Sequence, residues 1–224
     1  LKEGEKLQII HGSEITRSMP PGHLNAVFIK DANKLLFPND SLSGIKAANI
    51  QGAFIFWNHP NWDAQRSNGI ARLDPFHSYL IKNKLLHGIE VVNATTFSEE
   101  ALQLALDNDL TIMGTSDIHG LTTWNHNIAK GGHRPMTFIL TNSKRPQAIK
   151  GALFEGKTIV WFEDLLIGKE EYIKEVIKAN DMSIVKDAPI KTNEQTSKVS
   201  KDEIKNLVKD VEYSSIDELS LIHI

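Results

Sequence analysis

The sequence predicts an α/β fold with a largely parallel, barrel-like sheet, and three observations carry that prediction. Short apolar runs of strand length alternate with helical segments from residue 7 to about residue 179. Pro, Gly, Asp and Ser stand where strands stop and helices start. The composition, 41% hydrophobic and 24% charged over 224 residues, is that of an ordinary globular chain, which excludes collagen-like, coiled-coil and wholly disordered readings.

The elements follow in order. Leu7–Gly12 is short, apolar and ends at Gly, as a buried strand does, and it would make His11 a core residue. Pro20-Pro21-Gly22 is a turn that returns the chain as a second strand, His23–Ile29, in an antiparallel hairpin. Ile45–Ile50 is a short helix. Ala53–Trp57 is a wholly apolar strand that stops at Asn58-His59-Pro60. Asp74 and Pro75 are an N-cap and a first helical residue for a helix reaching Leu85. Gly88–Asn93 is a strand, and Ser98 caps a helix whose first turn holds Glu99 and Glu100, complementing the helix dipole. Leu110–Gly114 is a strand ending at Ser116-Asp117-Ile118-His119. Met136–Leu140 and Thr158–Phe162 are strands on either side of a helix begun by Pro146, and Lys169–Ala179 is an amphipathic helix. Beyond residue 180 aromatic residues nearly vanish and no strand pattern remains. Residues 181–224 read as a polar tail or linker, with a short helix over Lys201–Asp210 and a last segment, Ser220–Ile224, that matches no partner.

A net charge of −3 gives no electrostatic case for nucleic acid or an acidic membrane as partner. No apolar run approaches the ~20 residues of a membrane-spanning helix. With no Cys, a metal would be held by His and carboxylates alone. Those residues stand at strand ends. His59 follows one strand, and Asp117 and His119 follow another; in a parallel barrel the carboxyl ends of the strands share one rim. In extended chain Asp117 and His119 point the same way. The hairpin at Pro20-Pro21 brings Glu14, leaving one strand, and His23, entering the next, to the same rim. Imidazole and carboxylate together suit zinc, manganese or iron. Arg17 and the loop residues His133 and Arg134 are weaker candidates for holding a phosphate oxygen.

The segments Gly12-Ser13-Glu14-Ile15-Thr16, Gly22-His23-Leu24-Asn25-Ala26, Asn58-His59-Pro60, Gly88-Ile89-Glu90-Val91-Val92-Asn93 and Ser116-Asp117-Ile118-His119-Gly120 resemble, in order, the later motifs of the PHP (polymerase and histidinol phosphatase) superfamily of metal-dependent phosphoesterases. The resemblance covers roughly Leu7 to Phe162, and within the superfamily it leans to bacterial phosphodiesterase-like members. It implies a distorted (β/α)7 barrel, here residues 1–180, with two or three divalent ions (Zn, Mn or Fe). Glu14 would bridge two ions, His23 and His59 would complete one position, and Asp117 and His119 would serve the others. The family's opening His-x-His strand has no counterpart in this chain, so the barrel is expected to be incomplete, its N-terminal strands and ligands missing, and one ion position complete. The implied activity is hydrolysis of a small-molecule phosphate ester by metal-activated water, with a phosphodiester ahead of a phosphomonoester. Two alternatives stand beside it: a non-catalytic metal-binding or scaffold remnant, and a metal-dependent amidohydrolase, which would want a Lys at a mid-barrel strand end that is not evident here.

Overall fold

The computed structural model describes residues 8–179, 196–198 and 219–222. The first strand, β1 (Gly12–Ile15), pairs antiparallel with β2 (Leu24–Val27), which pairs antiparallel with β3 (Phe54–Trp57). A 3-10 turn (Ala32–Leu35) and α1 (Ser41–Ile50) lie between β2 and β3, the helix capped by the Asp40 carboxylate accepting the Ser43 N–H. Crossing by α2 (Pro75–Lys82), the chain enters β4 (Gly88–Asn93), which runs parallel to β3. The two-residue β5 (Thr96–Phe97) folds back on the end of β4, and α3 (Glu99–Asp107) leads to β6 (Thr111–Thr115), parallel to β4.

The second sheet follows α4 (Thr122–Asn125). It comprises β7 (Met136–Leu140), β8 (Thr158–Phe162) after α5 (Pro146–Phe154), and β9 (Leu165–Gly168); α6 (Glu170–Ala179) comes next. Two further strands, β10 (Thr196–Lys198) against β9 and β11 (Leu219–Ile222) against β7, complete the order β10-β9-β8-β7-β11, antiparallel throughout.

The fold is therefore mixed α/β, but among the described residues the strands form two sheets and no closed barrel. Only β3–β4 and β4–β6 are parallel, so the expectation of a largely parallel sheet gives way. The reason lies at β6. Its outer edge meets β7 and β8 through threonine hydroxyls in place of a ladder. Thr137 Oγ1 accepts the Gly114 N–H at 2.9 Å and donates to the Gly114 carbonyl at 2.8 Å, and Thr158 Oγ1 donates to the Ile112 carbonyl. These bonds satisfy backbone groups that barrel closure would have paired. Between β8 and β9 only Glu163 and Asp164 intervene, a length that enforces an antiparallel hairpin.

Other expectations need correction. The first strand is not Leu7–Gly12: hairpin register starts pairing at Gly12↔Val27, leaving Ile9 77% exposed and His11 exposed ahead of the strand. The strand β9 was not anticipated. In the presumed tail, residues 196–198 and 219–222 are strands, whereas the proposed boundary at 180 and the helix over Lys201–Asp210 fall outside the described residues. No helix among the described residues is long and apolar enough to cross a membrane.

The main core packs Leu24, Ile55, Trp57, Ile89 and Ile112 beneath α1, α2 and α3, and every residue of β3 is buried. Two histidines serve it. His77, fully buried, stacks on Trp57 with centroids 4.0 Å apart, accepts the Asp74 N–H at Nδ1 and donates from Nε2 to the Pro21 carbonyl. His87 accepts the Ile55 N–H at Nδ1 and faces the Lys84 carbonyl with Nε2. Burial pushes both rings toward the neutral form that these bonds require.

Candidate metal centre

Glu14 lies in β1 opposite Asn25, and His23 immediately precedes β2, so the hairpin alone sets them side by side: His23 Nδ1 is 3.1 Å from Glu14 Oε1. His59 is brought in by β3. The Asn58 N–H bonds to the His23 carbonyl at 2.9 Å, extending the β2–β3 pairing by one step, and the chain then turns at His59 with φ +28°. The ligand atoms of Glu14, His23 and His59 all lie within 4.8 Å of one another. The two imidazoles meet edge to face, centroids 4.9 Å apart, and the Trp62 ring covers both at 5.6 and 5.0 Å.

The donor set fits a divalent ion. Among the described residues, Nδ1 of His59 is buried with no hydrogen-bond partner from another residue, a costly state for a ring nitrogen unless something else takes its lone pair. Burial lowers the His59 pKa and the neighbouring His23 lowers it further, while Asp117, the residue's own backbone and Glu14 oppose them. A neutral imidazole is the ligating form. Glu14 is held by Thr16, whose hydroxyl donates to Oε1 at 2.5 Å, and by Asn58 Nδ2, 3.4 Å from Oε2. Two nitrogens and a carboxylate oxygen suit zinc, manganese or iron.

Asp117 and His119 are not part of that cluster. Asp117 follows β6 with φ +45° and is close enough for its charge to act on both His59 and Glu90. The His119 side chain is 87% exposed, its Nδ1 beside the Asp117 carbonyl at 2.9 Å. Of the phosphate candidates, Arg17 lines a cleft of about 450 Å3 that also includes His23, Met19, Trp62 and Gln65. Its guanidinium donates to the Thr16 and Phe37 carbonyls, and its buried Nε has no partner among the described residues. His133 is instead built into the second sheet: it stacks on Trp161 at 3.8 Å, and both ring nitrogens face backbone carbonyls, those of Arg134 and Glu163. Arg134 is half-buried on the loop before β7.

The sequence places one more residue of the site, Glu90, in the motif Gly88–Asn93 near the rim, without showing its burial or its partners. Glu90 in β4 is 1% exposed and has no basic partner among the described residues; its carboxylate accepts the His59 N–H (2.6 Å), the Thr115 hydroxyl (2.5 Å) and Asn93 Nδ2 (2.9 Å). Burial pushes its pKa from 4.5 up to about 7, with Asp117 adding to the rise and the three hydrogen bonds restraining it. Between those values the native state binds the extra proton, so stability falls as pH rises through the window. The gap amounts to roughly 3 kcal/mol. The metal-free Glu90→Gln variant should therefore melt above wild type at pH 8 and together with it at pH 4.5. His59, His77 and His87 are present in both proteins and drop out of the difference. A wild-type advantage at pH 8 would contradict a carboxylate buried without a cation.

No protein-family model matches the sequence, and no curated protein matches it. Among solved structures the chain is similar to a two-domain protein from Bacteroides vulgatus containing a predicted PHP-like metal-dependent phosphoesterase. The two are 40% identical with a TM-score of 0.74, over 84% of this chain and 53% of the other. The chain thus spans about half the length of that protein.

Proposed function

We propose, from the premise that this chain belongs to the PHP superfamily, that it hydrolyses phosphate esters with a divalent ion held by Glu14, His23 and His59. One observation carries the reading: three strand ends deliver a carboxylate and two imidazoles to one point, where the His59 Nδ1 is buried and unpartnered. A bound ion there supplies Lewis-acid polarisation of a phosphoryl oxygen and lowers the pKa of water.

The chain's own residues supply the rest. Thr16 and Asn58 orient the Glu14 carboxylate, and Trp62 shields both imidazoles from water on one side. Asp117 and His119, at the next strand end, are the candidate ligands of a further ion. Arg17, in the adjoining cleft, is the candidate partner of a non-bridging phosphate oxygen. We take the substrate to be a small phosphodiester, with a phosphomonoester as the alternative. The exposure of His119 favours one rival, a metal-binding domain without turnover.

Chromogenic diester and monoester substrates, assayed with zinc, manganese, iron or magnesium, test the proposal. Hydrolysis should disappear on chelation and return with metal, and Arg17→Met should lower kcat/KM by about 10-fold or more, as loss of a charge-assisted hydrogen bond does. If neither ester is hydrolysed with any of the four metals, the non-catalytic reading holds.

A further inference from the structure

A carboxylate fully removed from water and lacking a cation is expensive to keep, so its placement calls for a compensating arrangement. Glu90 has one. Its three hydrogen bonds come from three strand ends: the His59 main chain beyond β3, Asn93 at the end of β4, and Thr115 at the end of β6, two residues before Asp117. Each of the three segments it ties together bends sharply at the rim. His59, Ala94 and Asp117 all have left-handed backbones, φ +28°, +53° and +45°, which non-glycine residues hold only where their surroundings over-determine them.

We infer that Glu90 is a positioning residue of the metal centre: by accepting the His59 N–H while anchored to Asn93 and Thr115, it fixes the turn that presents the His59 imidazole to Glu14 and His23. The inference rests on the metal reading above. Among the described residues, the hydrogen bond that Glu90 makes to the Glu14, His23 and His59 cluster goes to the His59 main chain, and it acts on that cluster through it. Without the acceptor, the His59 N–H would be left without its partner, and the turn would relax toward an ordinary φ. The imidazole would then swing away from the other two donors. The role needs hydrogen-bond acceptance and shape. An amide meets both requirements: the Gln oxygen can accept from His59 and Asn93 while its NH2 donates to the Thr115 hydroxyl, which can rotate to accept.

The test compares cobalt(II) affinity by calorimetry and the d–d spectrum of the cobalt-loaded chain in wild type, Glu90→Gln and Glu90→Leu, with circular dichroism melts of the metal-free proteins. Glu90→Leu should bind cobalt about 10-fold more weakly or worse, as when a group supporting a ligand is lost, and its spectrum should change. Glu90→Gln should keep the wild-type affinity and spectrum. Where the melt shows that Glu90→Leu does not fold, Thr115→Val replaces it, removing one anchor at nearly constant shape, and a several-fold loss of affinity is expected. Wild-type affinity and spectrum in Glu90→Leu, or in Thr115→Val where that variant stands in, would overturn the inference. So would a Glu90→Gln variant as impaired as Glu90→Leu, because charge would then be the operative property. If wild type itself takes up no cobalt, the metal reading fails and this inference falls with it; wild-type uptake with no response to these substitutions sinks the positioning role alone.

Discussion

Substituting Ala for His59 should cost the protein most of its bound transition metal, with affinity falling by about 10-fold or more, while the metal-free protein still folds. The first half follows from the donor set. Glu14 and His23 remain 3.1 Å apart after the change, but a carboxylate and one imidazole hold a divalent ion far less firmly than three protein donors. The second half follows from position. His59 lies past the last residue of β3, whose four side chains are all buried independently of it, and the ring itself is only half-buried. Truncation removes its contacts with His23 and Trp62 but also removes the unpartnered Nδ1, so loss and gain partly offset. Elemental analysis after gel filtration, alongside a thermal melt of the chelated protein, reads both quantities. Full metal occupancy in the variant would show that His59 is not a ligand.

Gly114→Ala should be among the most destabilising single-methyl additions available in this protein. Gly114 sits in β6 where the two sheets meet, and a Cβ placed there would stand 2.3 Å from Val160 Cγ1 in β8, far inside van der Waals contact. Val160 is fully buried and cannot swing aside. Relief requires β6 to withdraw, which would also stretch the pair of hydrogen bonds between Thr137 and the Gly114 main chain. Overpacking of this kind costs about 3 kcal/mol, and in a chain of this size each kcal/mol lowers Tm by about 2–4 °C. The double variant Gly114→Ala/Val160→Ala should recover part of the loss, since the two side chains compete for one space. An unchanged Tm in Gly114→Ala would mean that the sheets are not in contact at this point.

Several elements could be read from local signals, whereas the joining of the sheets could not. Strands β4, β7 and β8 have the bounds read from their apolar runs, and the caps Asp74 and Ser98 stand where the helices begin, because each depends only on neighbours in the chain. Partner choice depends on more. Nothing in Thr111–Thr115 says that its outer edge is satisfied by Thr137 and Thr158 hydroxyls, so the open join between sheets was not legible. β9 was missed because Glu163-Asp164 carries no Gly or Asn to mark a turn, yet Glu163 adopts φ +53°.

The same division runs through the candidate site. Glu14, His23 and His59 could be read because strand ends and one hairpin suffice to bring them together. The pairing of Asp117 with His119 assumed extended chain, in which alternate residues share a side. β6 ends at Thr115, and the left-handed turn at Asp117 breaks that geometry, leaving His119 in solvent. Glu90 gave one usable signal, a lone acid inside the apolar run Gly88–Asn93 with Asn93 three residues on, but its burial depends on β3 and β6 closing over it.

X-ray absorption at the zinc edge on this chain, loaded with zinc and freed of excess by gel filtration, tests the central claim most directly. Zinc should be retained with a nitrogen and oxygen shell at about 2.0–2.1 Å, carrying the multiple scattering of two imidazoles from His23 and His59. An oxygen-only shell, or no zinc left after filtration, would contradict it.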